Sequence, residues 1–187
     1  MANGRAAIFI DAGYLEKILK TQFAGTSIDY SKFAVEISKP TDILRTYYYN
    51  CPPFQSSPAT QQEAERTRRA DRFFAKLRLL PRFEVRLGRL SKRSCPRCGE
   101  VFFQQKRADL MLGVDLVNLS ARTQIGTAVL VAGDSDFLPA VEAAKDSGVL
   151  IRLVHGGPAN RPHQDLFATA DERLLIDKPL IDRTRRA

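Results

Sequence analysis

Short apolar runs, separated by stretches with helical spacing, constrain the fold of this chain more than any other feature. Residues 6–10 and 127–132 are almost entirely apolar, and each run is followed directly by a turn. Such runs are typical of strands that are buried on both faces of a parallel sheet. Further strands are expected at 43–49, 83–90 and 149–154, and helices at 14–23, 61–80, 108–122 and 137–147.

Because these strands alternate with helices, we expect a doubly wound, mainly parallel α/β sheet flanked by helices. The 187 residues are expected to form a single domain, with 44% hydrophobic residues to fill a core. Residues 6–10 are the longest early apolar run, which is too short for a signal peptide or a membrane span. We therefore expect a cytoplasmic location and no membrane partner.

The net charge of +8 is concentrated in one segment. Between Arg66 and Arg97 the chain has twelve basic residues and two acidic ones. A basic surface of this kind favours binding to the phosphate backbone of a nucleic acid. The alternative is a solvated helix face whose long side chains cover the core. The candidate nucleic-acid-binding residues are Arg66, Arg69, Lys76, Arg93, Arg97 and Lys106. A second basic segment, residues 183–186, is expected to be a frayed C-terminal tail.

Acidic residues follow two of the predicted strands. Asp11 follows the first strand, and Asp134 and Asp136 follow the strand that ends near Ala132. In open α/β sheets the carboxyl ends of the strands meet at the ligand-binding edge. Asp109 begins a predicted helix, from which its side chain can point back at that edge.

Carboxylates crowded together repel one another unless a cation lies among them, so this cluster predicts a divalent metal. Oxygen ligands favour Mg²⁺ or Mn²⁺, which activate water for attack on a phosphodiester. Neither His155 nor His163 is expected to belong to the acidic group. Asp134 or Asp136 could instead cap the helix that begins near Phe137, and Asp109 could likewise be a helix cap. Asp115 is a further candidate, either as a direct ligand or as a satisfied polar residue outside the site.

Three segments together resemble the NYN domain, a member of the PIN-like nuclease superfamily. They are residues 8–11, residues 106–116 and residues 129–137, the last being the most specific. The resemblance implies a PIN-like, Rossmannoid parallel sheet and metal-dependent RNA cleavage. Carried over by position, it implies metal-site roles for Asp11, Asp109, Asp134 and Asp136, with Asp115 in support.

The sequence Cys95-Pro96-Arg97-Cys98-Gly99 resembles half of a zinc ribbon and predicts a small hairpin insertion at about residues 83–105. A closed zinc site needs four ligands. Cys51 with a histidine, or a second copy of the chain in a homodimer, would supply the other ligands. The alternative is a hairpin tip that binds no metal.

These features lead to one main hypothesis, a Mg²⁺- or Mn²⁺-dependent endoribonuclease whose basic segment holds the substrate, with RNA preferred over DNA as its partner. A second hypothesis is a nucleic-acid-binding or adaptor module with the same fold and little turnover. A third is a phosphatase that uses Asp134 and Asp136 as nucleophile and acid. The third is the weakest, because no lysine and threonine partners are evident in the sequence.

Overall fold

The computed structural model describes residues 4–186, except for the side chains of residues 91, 92 and 102–106. Eight strands and seven α-helices make up this part of the chain. In chain order they are β1 (Arg5–Asp11), α1 (Ala12–Gln22), α2 (Tyr30–Ser38), β2 (Asp42–Asn50), α3 (Gln61–Arg78), β3 (Phe83–Leu87), β4 (Arg89–Ser94), β5 (Val101–Lys106), α4 (Ala108–Ala121), β6 (Thr127–Val131), α5 (Leu138–Asp146), β7 (Leu150–His155), α6 (Gln164–Thr169), β8 (Glu172–Leu175) and α7 (Lys178–Thr184). None of the helices within residues 4–186 is both long and apolar enough to cross a membrane.

Six strands form one sheet in the order β3-β2-β1-β6-β7-β8, and every neighbouring pair in it is parallel. The expected doubly wound α/β fold is thereby confirmed. From β1 the chain builds the sheet outward to β3 on one side, and then returns to build β6 to β8 on the other. The order of the strands therefore reverses between β1 and β6, and the carboxyl ends of these two strands flank a crevice.

Helices cover both faces of the sheet and explain why β1 is wholly apolar. Ile8 and Ile10 pack on the side of α1, α2 and α3, whereas Ala7 and Phe9 pack on the side of α4 and α5. All four side chains are fully buried. A strand with successive residues in two different cores has no polar face, and its first polar side chain, Asp11, comes where it leaves the sheet.

The hairpin begins later than expected. Phe83–Leu87 pairs with β2 in the main sheet, so only β4 and β5 form the two-stranded insertion. The alternation of apolar and polar residues continues from β3 through Gly88 into β4, which is why the sequence predicted a single strand over residues 83–90.

The expectation of a frayed tail at residues 183–186 was wrong. Asp177 caps α7 through a bond from Leu180 N to its Oδ1 (2.9 Å), and Leu180, Ile181 and Thr184 are buried. Beyond the helix, Arg186 N donates to Ser27 O (3.0 Å). The basic end of the chain is thus anchored beside α2.

Candidate active site

Asp11 lies at the carboxyl end of β1 and caps α1 at the same time. Its Oδ1 accepts hydrogen bonds from Gly13 N (2.9 Å) and Tyr14 N (3.4 Å). Burial, together with the negative charges of Asp109 and Asp134, raises the pKa of Asp11 to about 6, against the lowering effect of the two backbone bonds. Capping, which the sequence suggested only for the other aspartates, therefore coexists in Asp11 with a place in the acidic cluster.

Asp109 reaches the same edge from the first turn of α4. Partial burial raises the pKa of Asp109, and the charges of Asp134 and Asp136 add to the effect. The chain enters α4 through Arg107, whose φ of +78° lies in the left-handed region. This tight entry turns the chain from β5 so that the first turn of α4 faces the carboxyl ends of β1 and β6.

Asp134 and Asp136 follow β6 in a 3₁₀ turn formed by Ser135–Phe137. Asp134 Oδ1 accepts from Asp136 N (3.1 Å), so Asp134 is also a cap. Asp134 lines a cleft together with Asp11 and Asp109, whereas Asp136 lies on the neighbouring surface between α4 and α5, where Asp109 borders both. The structure thus brings all four aspartates to one region, with Asp136 at its margin.

The cleft has a volume of about 600 Å³ and holds basic side chains as well as acidic ones. Its charged and titratable lining consists of Asp11, Asp109, Asp134, Tyr14, Lys17, Arg161 and His163. The expectation that neither histidine accompanies the acids was wrong for His163. The loop after β7 folds back across the sheet edge, and His163 N donates to Gly133 O (2.8 Å), next to Asp134.

Tyr14 attaches this loop to α1. Its Oη donates to Asn160 O (2.8 Å) and accepts from Gly156 N (3.1 Å). Both partners are more than 140 residues away in the chain, so no local pattern could have indicated the contact. Because Arg161 and His163 follow Asn160 directly, Tyr14 positions the basic side of the cleft.

Asp115 lies apart from the other acids. Its Oδ2 accepts from Tyr49 Oη (2.9 Å) and from Arg86 Nε (3.3 Å). Burial raises the pKa of Tyr49, and the charge of Asp115 raises it further. These contacts favour the view that Asp115 is a satisfied polar residue that joins α4 to β2 and β3.

The candidate basic residues lie on two separate elements. Arg66, Arg69 and Lys76 are exposed on α3, where Arg69 pairs with Glu65. Arg93 and Arg97 are exposed on the hairpin, whose tip also holds Cys95 and Cys98. Lys106 ends β5, and its side chain lies outside the described part of the structure.

The aspartates fit a hard divalent cation by their chemistry. Within residues 4–186, no three His, Cys, Asp or Glu side chains stand close enough together to form a ready-made metal site. However, Asp11 and Asp134 each commit only Oδ1 to backbone N–H groups in the bonds described above, which leaves Oδ2 for another partner. The raised pKa values of Asp11 and Asp109 come first from burial and then from repulsion by the neighbouring aspartates, and a bound cation would favour the ionised carboxylates against both.

Comparisons with known proteins agree with this architecture. The model of the NYN domain family matches residues 5–176. A crystal structure of a protein of unknown function from Vibrio parahaemolyticus superposes with a TM-score of 0.66 at 19% identity, covering 99% of this chain and 98% of that one. A search among curated proteins finds no match. The structural likeness supports the fold alone.

Proposed function

Because this chain belongs to the NYN domain family of the PIN-like nuclease superfamily, we propose that it is a Mg²⁺- or Mn²⁺-dependent endoribonuclease. The observation that carries the proposal is the composition of the cleft. Aspartates from β1, α4 and the turn after β6 face Lys17, Arg161 and His163. Cleavage of a phosphodiester uses both kinds of side chain. Basic groups bind the phosphate oxygens, and carboxylates hold the metal ion.

The three aspartates of the cleft, Asp11, Asp109 and Asp134, would hold the cation, with Asp136 beside Asp109. When bound, Mg²⁺ or Mn²⁺ lowers the pKa of a coordinated water and stabilises negative charge on phosphate oxygens. The hydrogen bonds to Oδ1 of Asp11 and Asp134 fix both carboxylates in place. Fixed ligands lose little conformational entropy when they bind a cation.

Basic side chains on the other side of the cleft would hold the substrate. Lys17 provides a point charge, and the guanidinium of Arg161 can donate two parallel hydrogen bonds to one phosphate. Nδ1 of His163 accepts from Asp165 N (3.3 Å), so in the neutral ring the proton is on Nε2. That N–H group can donate a hydrogen bond to a phosphate oxygen of the substrate.

A second cavity of about 600 Å³ adjoins the cleft and suits an unpaired base. Arg161 and Pro162 line both spaces, and Phe167, 39% exposed, forms part of the wall of the second. Bases of single-stranded RNA stack on exposed aromatic and guanidinium groups, whereas bases in a duplex are already stacked. The shared wall therefore favours a single-stranded substrate, with its phosphate in the cleft and a base beside Phe167.

The proposal is tested by cleavage of labelled single-stranded RNA in the presence of Mn²⁺. We expect Asp134→Asn to lower the rate by at least about 100-fold, since a ligand should matter no less than an outer-shell group. Asp146→Asn, an exposed aspartate at the end of α5, is the matched control and should cleave like the parent. Equal rates for the parent and Asp134→Asn would contradict the proposal.

The alternative, a binding or adaptor module with the same fold, is favoured by one observation. The described acids do not form a ready-made group of three metal ligands. Such a module would bind RNA without cleaving it, and binding would survive Asp134→Asn. Binding would weaken with salt and disappear when Arg69 and Lys76 are replaced. Measuring cleavage and binding on the same variants therefore separates the two functions.

A further inference from the structure

The two cysteines of the hairpin lie in a turn that resembles a metal-binding knuckle. Cys95 N donates to Glu100 O (2.8 Å), and Gly99 N donates to Cys95 O (2.9 Å). Gly99 has a φ of +70°, which glycine adopts without the strain that a side chain would bring. This closed turn brings the thiols of Cys95 and Cys98 within hydrogen-bonding contact.

The backbone of the turn stabilises a thiolate at Cys95. Its sulfur accepts hydrogen bonds from the N–H groups of Cys98 and Arg97, and these bonds lower the pKa of Cys95. The thiolate is the form of cysteine that binds metals. Arg93 and Arg97, both exposed, provide positive charge that would balance a zinc ion with several thiolate ligands.

The chain itself does not complete this site. Every Cys, His, Asp and Glu of the sequence lies within the described residues, and none of them joins the cysteine pair in a group of three. Cys51 lies at the other end of the hairpin, because its neighbour Asn50 accepts from Gly88 N (2.8 Å), just before β4. The six residues of β4 span about 20 Å, so Cys51 cannot reach the tip.

The hairpin insertion consists of only two strands, β4 and β5. A two-stranded hairpin is marginally stable in water and usually needs a further constraint such as a metal. The tip is exposed at Cys98, and Val101 is 47% exposed.

We propose that the hairpin tips of two copies of this chain bind one Zn²⁺ between them, through Cys95 and Cys98 of each copy. Four thiolates around zinc make a closed tetrahedral site, and two identical tips meet naturally about a twofold axis. The binding of a structural zinc ion contributes directly to the stability of the assembly, so a small contact area between the copies is sufficient. This inference does not rest on the nuclease proposal.

The test is the zinc content and molar mass of the full chain, purified under reducing conditions with zinc present. We expect one Zn²⁺ for two chains by elemental analysis, and a dimer by light scattering that becomes a monomer on chelation. Replacing zinc by Co²⁺ should give the absorption bands of a tetrahedral tetrathiolate site. Cys98→Ser should lose both the metal and the dimer.

Cys51→Ala is the matched control, because Cys51 packs against the core beside β2 and is not a proposed ligand. It should keep the zinc and the dimer, and circular dichroism should show native secondary structure for both variants. A monomer that binds one zinc per chain, a chain that binds no zinc, or a dimer that survives both chelation and Cys98→Ser would each overturn the proposal.

Discussion

The ring of Tyr14 lies directly against the backbone of Gly133. A Cβ placed on Gly133 would be 2.4 Å from Cε2 and 2.7 Å from Cδ2 of Tyr14, distances that carbon atoms do not reach without displacement. The ring cannot move freely, since its hydroxyl bonds with both Gly156 and Asn160. Glycine at position 133 is therefore required by this contact, beside the aspartates that follow β6.

Gly133→Ala should destabilise the protein and disturb the cleft together. The added methyl group must push Tyr14 away, and overpacking of this kind costs about 1–3 kcal/mol. Denaturant unfolding measures the loss, and RNA binding should weaken because Arg161 and His163 move with the loop. Tyr14→Phe, which keeps the ring but loses the hydroxyl, should cost about 1 kcal/mol. An unchanged midpoint of denaturant unfolding for Gly133→Ala would contradict the close packing of Tyr14 against Gly133.

The acidic side of the cleft could be predicted from sequence, whereas the basic side could not. Asp11 and Asp134 stand at the ends of apolar runs, and parallel topology brings such ends together wherever the intervening chain goes. Arg161 and His163 belong to a loop without periodicity, and contacts with the distant residues Tyr14 and Gly133 bring them to the cleft. The role of Asp115 was ambiguous for the same reason, because its partner Arg86 lies in β3, far from it in the sequence.

The C-terminal helix α7 was not predicted, because the basic residues at its end were given more weight than its capping residue and its apolar face. The basic composition of residues 183–186 suggested a solvated tail. Yet Asp177 before Pro179 is a usual helix start, and Leu180 and Ile181 provide an apolar face that packs in the core. Periodicity and capping residues indicate whether such a segment is helical, since charged side chains at a helix end can remain in solvent.

Metal-free protein should lose stability as the pH rises from about 4 to about 6. Burial raises the folded-state pKa of Asp11 from 3.8 to about 6, so the folded state holds its proton more tightly than the unfolded state does. The stabilisation from protonated Asp11 is complete below its pKa in the unfolded state. It is lost as the pH rises through its pKa in the folded state. We expect a change of about 2 kcal/mol between these limits.

Urea unfolding at several pH values, in the presence of a chelator, measures this effect. Asp11→Asn should reduce the pH dependence, to which the raised pKa of Asp109 also contributes, while preserving the cap, because asparagine caps helices as well as aspartate. Added Mg²⁺ should stabilise the parent above pH 6, where Asp11 is ionised, and should have a smaller effect on the variant. A parent whose stability rises between pH 4 and 6 would rule out this origin.

Asp115→Ala should lower stability without altering the metal requirement. The change leaves the buried hydroxyl of Tyr49 without its acceptor, at a cost of about 1–3 kcal/mol, and leaves Arg86 with Glu84 as its remaining acidic partner. Asp115→Asn retains an acceptor for Tyr49 and should cost less. The Mn²⁺ concentration for half-maximal cleavage should stay the same in both variants. A shifted Mn²⁺ requirement with unchanged stability would instead make Asp115 a metal ligand.

Arg161→Ala should weaken RNA binding more than the loss of any basic residue remote from the cleft. Arg161 lines both the cleft and the adjoining cavity, so one substitution removes a phosphate contact and a surface for a base. A charge-assisted hydrogen bond of this kind corresponds to about a tenfold loss of affinity. The salt dependence of binding should also fall by about 0.7 in log–log slope, because one fewer phosphate is neutralised on a single strand.

Arg122→Ala, at the far end of α4, removes the same charge from an exposed position and is the control. If both variants lost the same affinity, binding would depend on overall charge, and the cleft would not be the substrate site.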